Sequence, residues 1–172
     1  MWFNNPWSEF LAAGGLRDRP VAGERPANAG LFAGRWRLDL RHSLIELSSP
    51  DHGLRTAELN VTKDDGEGLA WTLVHEDGQG ILSIQCADAP MDGTPSRCVV
   101  DGRFVMLRLR RETPSSVAIL TGPKASPRRM QRLTLITPEI LAIHDVPERA
   151  TPFLGETWTF VRASAYPRDV SA

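Results

Sequence analysis

Between residues 31 and 162, apolar and polar side chains alternate with a period of two, and turn-forming residues interrupt the alternation every eight to fifteen positions. A period of two puts successive side chains on opposite faces of an extended strand, whereas a helix repeats every three to four. The stretch 55–63 is the plainest case: Ala57, Leu59 and Val61 share one face, and Glu58, Asn60 and Thr62 share the other. Strands are expected at 31–40, 55–63, 69–76, 80–87, 98–100, 103–110, 116–120, 130–136, 140–146 and 157–162. Asp64-Asp65-Gly66, Asp77-Gly78 and Asp101-Gly102 supply residues that tolerate the positive φ of hairpin turns. A longer connection is expected over 89–95, and a helical turn over 41–47.

Nine or ten strands joined by short connections favour an all-β, antiparallel up-and-down barrel, because closure removes exposed sheet edges. A β-sandwich would show longer Greek-key connections. The 172 residues suffice for one domain with a real core. We divide them into an N-terminal docking helix and linker (1–30), the barrel (31–163) and a C-terminal tail (164–172). In the first segment Asn5 suits a helix cap, Pro6 a first turn and Gly14 a stop, with Trp7, Phe10 and Leu11 on one face. A short N-terminal helix like this is unstable alone. It is expected to dock on the barrel mouth or on a sister subunit, which would make a homodimer.

A formal charge of −1 gives no reason to expect nucleic acid, and no apolar run is long enough for a membrane helix. The N-terminus has neither a basic region nor a continuous apolar one, so the expected location is cytoplasmic. Cys86 and Cys98 flank a turn and could face each other across a hairpin; on the cytoplasmic premise reduced thiols are expected, and the sequence leaves open whether the two are bonded. No metal spacing and no cofactor motif occurs, so no cofactor and no metal are expected.

Two stretches carry a resemblance. Gly34-Arg35-Trp36-Arg37-Leu38-Asp39 followed by Ser43 resembles the G-x-W-x-L-D opening of bacterial lipocalin-like domains, in the calycin group. Thr157-Trp158-Thr159-Phe160-Val161-Arg162 is similar to their last strand. The resemblance spans about 32–163 and implies a lipocalin-like barrel. It also implies that Trp36 sits at the closed end with Arg162 across its ring. The T-D-Y element of the secreted carriers has no counterpart, the only tyrosine being Tyr166.

For chemistry, Leu69, Trp71, Leu73 and His75 share the more apolar phase of their strand, which makes the first three cavity-wall candidates. A partly desolvated His75 would serve as general base or ligand donor; the alternative is a histidine exposed at the strand end beside Glu76 and Asp77. His144 and Asp145 are adjacent, so only one of them faces inward, and the alternation leaves open which. Trp158 stands at a strand position suited to stacking on an aromatic ligand or to packing on neighbouring strands. Arg108, with Arg110, Arg111, Arg128, Arg129 and Arg132, forms either a carboxylate site at the mouth or a solvated basic face. His42 and Glu46 are expected to pair at the surface.

The expected function is an intracellular barrel binding a small hydrophobic or aromatic molecule. The alternative is a cofactor-independent isomerase, cyclase or lyase using His75, His144 or Asp145 for proton transfer. A pocket where these groups converge favours catalysis, and a wholly apolar pocket favours carriage.

Overall fold

The computed structural model describes residues 30–45, 53–121, 129–146 and 156–163. The expected N-terminal helix, Glu46, Arg128, the side chain of Arg129 and the tail from 164 lie outside the described residues.

Ten strands form one closed sheet: β1 (Gly34–Leu38), β2 (Thr56–Asp64), β3 (Gly68–Asp77), β4 (Gly80–Pro90), β5 (Asp92–Val100), β6 (Arg103–Thr113), β7 (Ser116–Thr121), β8 (Arg129–Thr137), β9 (Ile140–Val146) and β10 (Thr157–Arg162). Each strand pairs antiparallel with its sequence neighbours, and β1 pairs with β10 to close the barrel. The register aligns the apolar phases. Trp36 stands level with Leu59, Leu59 with Leu73, Leu73 with Ile84, and Ile84 with Val100. Trp36, Leu59, Leu73 and Ile84 are almost wholly buried, so the alternation in the sequence does define the core face. Asp101 (φ 50°) and Gly102 (φ 76°) make the two-residue turn between β5 and β6. Positive φ at both positions matches the right-handed twist of the flanking strands.

Three local expectations are corrected. The connection placed at 89–95 is instead strand on both sides of a single residue, Met91. The Met91 amide donates to the Glu67 carbonyl (2.7 Å), and its carbonyl accepts from Arg111 (2.9 Å). Both ladders therefore continue to the tip. The turn expected at 41–47 shortens to a 3-10 turn, Leu40–His42, after which Leu44 bridges to Thr157. Asp39 caps that turn and binds His42 Nδ1 at 2.7 Å; Glu46, the expected surface partner of His42, lies outside the described residues.

The third correction concerns the thiols. Cys86 and Cys98 are bonded to each other, with Cα atoms 4.5 Å apart. That spacing is the closer of the two pair distances in antiparallel sheet, where side chains lie nearest. The bond continues the β4–β5 pairing one residue beyond Gln85↔Val99.

Candidate functional site

One end of the barrel is sealed by two stacked cations and a buried carboxylate. Arg162 lies over the Trp36 ring, 4.0 Å from its centre, and Arg111 lies 5.7 Å from the centre of Phe32. The Asp64 side chain is fully buried; Oδ1 accepts from Arg111 (3.2 Å) and Oδ2 from the Phe32 amide (3.0 Å). Trp36 Nε1 donates to the Phe32 carbonyl at 2.9 Å. The polar groups here hold one another in place.

The opposite end carries a second polar layer. His75, 2% exposed, follows Leu73 on the inner face of β3. Its ring meets Trp158 edge-on, with centroids 5.4 Å apart and planes at 73°. Trp158 Nε1 donates to Glu156 at 3.3 Å. Burial pushes the His75 pKa below its ordinary 6.5, against a weaker upward pull from Asp77 and Asp101. On β8 and β9, Gln131 faces inward level with Asp145, and its Nε2 donates to Asp145 Oδ1 at 3.0 Å.

Between the two layers lies an apolar cavity. Trp71 and Leu73 from β3 form one wall, Leu109 and Ile119 another, and Leu133 and Ile143 a third, with four more aliphatic residues filling in. Every lining residue is apolar. The open space is about 20 Å³, measured as the room left for the centre of a water molecule. One water needs roughly 10–15 Å³ on that scale, and an apolar void of this kind stays dry. The resting barrel is thus largely filled by its own side chains.

No known protein family and no curated protein matches the chain. Its chemistry must be read from the site alone.

The sequence-derived candidates divide cleanly. Trp71 and Leu73 line the cavity. Trp158 is inward and buried, but it packs against His75 instead of forming the cavity wall. Asp145 shares the inward phase of Leu141 and Ile143, which puts His144 on the outer face, level with Arg132. Burial and the Arg132 charge lower the His144 pKa, while Asp145 and Glu112 oppose the shift. Arg108 lies between the inward-facing Leu107 and Leu109 and therefore projects outward, away from the cavity. His75 and Asp145 face the interior, and His144 does not join them.

Sequence reasoning missed Gln131. It stands in phase with Leu133 and Leu135 on β8, so the alternation held the signal, but a polar residue on an apolar phase was not read as inward. Val117, Ile119 and Leu133 were likewise within reach of the same pattern. Among the described residues, no three of histidine, cysteine, aspartate or glutamate cluster closely enough to hold a metal. No helix among the described residues is long and apolar enough to cross a membrane.

Proposed function

We propose that this barrel is a lipocalin-like carrier that holds a small apolar molecule in its core. The observation that carries the reading is the cavity lining, apolar at every position and free of titratable side chains. An enclosed apolar site with few polar groups at its margin is the usual form of a small-molecule pocket. The Trp36–Arg162 stack, which the resemblance implied, supports the lipocalin-like assignment.

The size of the void limits the guest. Only a very small molecule enters without rearrangement, and a larger one must displace aliphatic side chains. The isomerase, cyclase or lyase alternative draws no comparable support. Its three candidate groups do not meet, since His144 faces out while Asp145 is bonded to Gln131.

The cytoplasmic expectation rested on the N-terminal sequence, with reduced cysteines as its corollary. A bonded Cys86–Cys98 pair belongs to oxidising surroundings and speaks against that location.

Titration with xenon and benzene, followed by methyl NMR, tests the carrier reading. The expected result is shifts confined to the methyl groups of the cavity wall, Ile119, Ile143, Leu73 and Leu133 among them, with a raised unfolding temperature. Leu133→Phe, which fills the void, should abolish those shifts in a folded protein. Guests that leave the methyl spectrum and the unfolding temperature unchanged would remove the reading.

A further inference from the structure

We infer that the outer face of β5, β6 and β7 docks this protein onto an anionic lipid surface, with Arg97 and Arg108 on headgroup phosphates and Phe104 inserted among them. The inference is independent of the cavity and its guest.

The face follows from the alternation. Val105, Leu107 and Leu109 of β6 are buried, so Phe104, Met106, Arg108 and Arg110 project outward. Phe104 is 65% exposed. On β5, Arg97 and Val99 alternate with the buried Cys98 and Val100, and they stand level with Met106 and Phe104. On β7, Leu120 stands level with Arg108. Three neighbouring strands thus carry cations and apolar side chains on one surface. The Arg97 guanidinium lies 4.6 Å from the centre of the Phe104 ring.

The cations here are in excess. Arg110 is 3.7 Å from Glu112, which also binds Arg132, and it stands level with Asp92. Arg97 and Arg108 form no ion pair among the described residues. Arg108 Nε is buried with no hydrogen-bond partner. An unmatched donor is costly, and this long side chain gains an acceptor by turning out toward an oxyanion. A chain with a formal charge of −1 therefore gathers Arg97, Arg108, Arg110 and Arg132 on one face against Asp92 and Glu112 alone. At the turn beside that face, Asp101 and Arg103 offset each other.

The apolar side chains decide between a lipid surface and an acidic protein. A protein interface has a fully desolvated apolar centre. In this barrel the exposed apolar residues are spread over β3 (Val74), β4 (Ile81) and β6 (Phe104), with Ser83 and Gln85 of β4 among them. A fluid headgroup layer closes around such spacing. It also takes an aromatic ring at its apolar boundary while guanidiniums stay level with the phosphates, whose oxygens they match.

Co-sedimentation with vesicles of phosphatidylcholine, with and without about a third phosphatidylglycerol, tests this. The wild-type protein should bind the mixed vesicles at least about tenfold tighter than phosphatidylcholine alone, and more weakly as salt is raised. Arg97→Gln with Arg108→Gln should weaken that binding roughly twentyfold, about fivefold for each charge. Arg35→Gln with Arg55→Gln removes the same charge on and beside β1 and β2, across the ring from β6, and should change it less than about twofold. Phe104→Ser should weaken it about threefold or more, since the inserted ring is lost. Equal binding to both vesicle types overturns the inference, as does no vesicle binding, an equal loss in the two arginine pairs or an unchanged affinity in Phe104→Ser. Soluble polyglutamate bound as tightly as the mixed vesicles overturns it in favour of an acidic protein. The wild-type comparisons stand whether or not a variant folds, and none of these outcomes touches the carrier reading.

Discussion

Arg162 lies with its guanidinium 4.0 Å from the centre of the Trp36 ring, and the two residues are register partners across the seam between first and last strands. That seam is short: Trp36↔Arg162, Arg37↔Val161 and Leu38↔Phe160 are its paired positions. The guanidinium reinforces it beyond the ladder. Nη1 donates to the Ala33 carbonyl (2.8 Å), Nε to Pro138 (2.8 Å) and Nη2 to Leu31 (3.4 Å). One side chain thus ties the approach to β1, the β8–β9 turn and the Trp36 ring together.

Arg162→Lys is expected to destabilise the barrel by about 2 kcal/mol despite keeping the charge. Lysine cannot present a planar fork to three carbonyls while stacking on an indole. Urea unfolding monitored by tryptophan fluorescence measures the loss. A change below about 0.5 kcal/mol would show that the stack does not hold the seam.

The buried Asp64 should behave as one unit with Arg111. Asp64→Asn removes a charge that accepts from Phe32, Gly66 and Arg111, and a loss of about 3 kcal/mol is expected. Arg111→Met leaves the carboxylate buried without its cation and should also be costly. In a double-mutant cycle the pair should be less destabilised than the sum, with a coupling of about 1–2 kcal/mol. Strict additivity would show that the 3.2 Å contact carries no energy of its own.

The strand plan was legible because alternation and turn chemistry agree, as at 55–63 and Asp101-Gly102. The glycine of the G-x-W stretch has its reason only in three dimensions. Gly34 has φ +134°, a conformation that L side chains rarely adopt, and a Cβ there would stand 2.6 Å from Arg162 Nη1, so a larger residue would strain the backbone and displace the guanidinium. The long β4–β5 tip was not legible, because Pro90 and Pro95 read as loop while the Met91 backbone bonds that pull the tip into the sheet are non-local. The thiol state was not legible for a different reason: two cysteines across a possible hairpin fit either state, and the β4–β5 register is what brings their Cα atoms to 4.5 Å. For the site, the phase of β3 identified Trp71 and Leu73 correctly. On β9 the two phases were too similar in apolarity to choose between His144 and Asp145, and only the ladder to β8 and β10 decides.

The Cys86–Cys98 bond closes a loop with a sequence separation of 12, for which loop-closure entropy gives a stabilisation of about 3 kcal/mol. Replacing both with alanine is expected to cost about 2–4 kcal/mol, since two buried side chains also change. Both residues are at most 2% exposed, so reductant should act slowly on the native protein and quickly once it is unfolded. Alkylation followed by mass spectrometry reads this directly. Rapid labelling of both sulfurs in native, unreduced protein would refute the bond.

Stability should fall on mild acidification, and His75 should be a principal cause. Burial lowers its pKa below 6.5 in the folded state, and His144 is lowered as well. The unfolded chain therefore binds protons more readily than the folded one as pH drops below about 6.5. Folding stability is complete above that value and declines as pH falls toward the folded-state pKa. Each histidine contributes at most about 1.4 kcal/mol per pH unit. The carboxylates of Asp39, Asp65, Asp92 and Glu112, whose pKa values are lowered (Asp65 to about 2), add a separate loss at more acid pH. His75→Phe preserves the aromatic contact with Trp158 and removes the titrating group, so the slope just below pH 6.5 should shrink while stability above pH 7 is little changed. His144→Phe, on the outer face, isolates the second contribution. Chemical denaturation from about pH 5 to 8 supplies both slopes. A slope that survives intact in His75→Phe would mean that the imidazole beneath Trp158 is as readily protonated in the folded barrel as in the open chain.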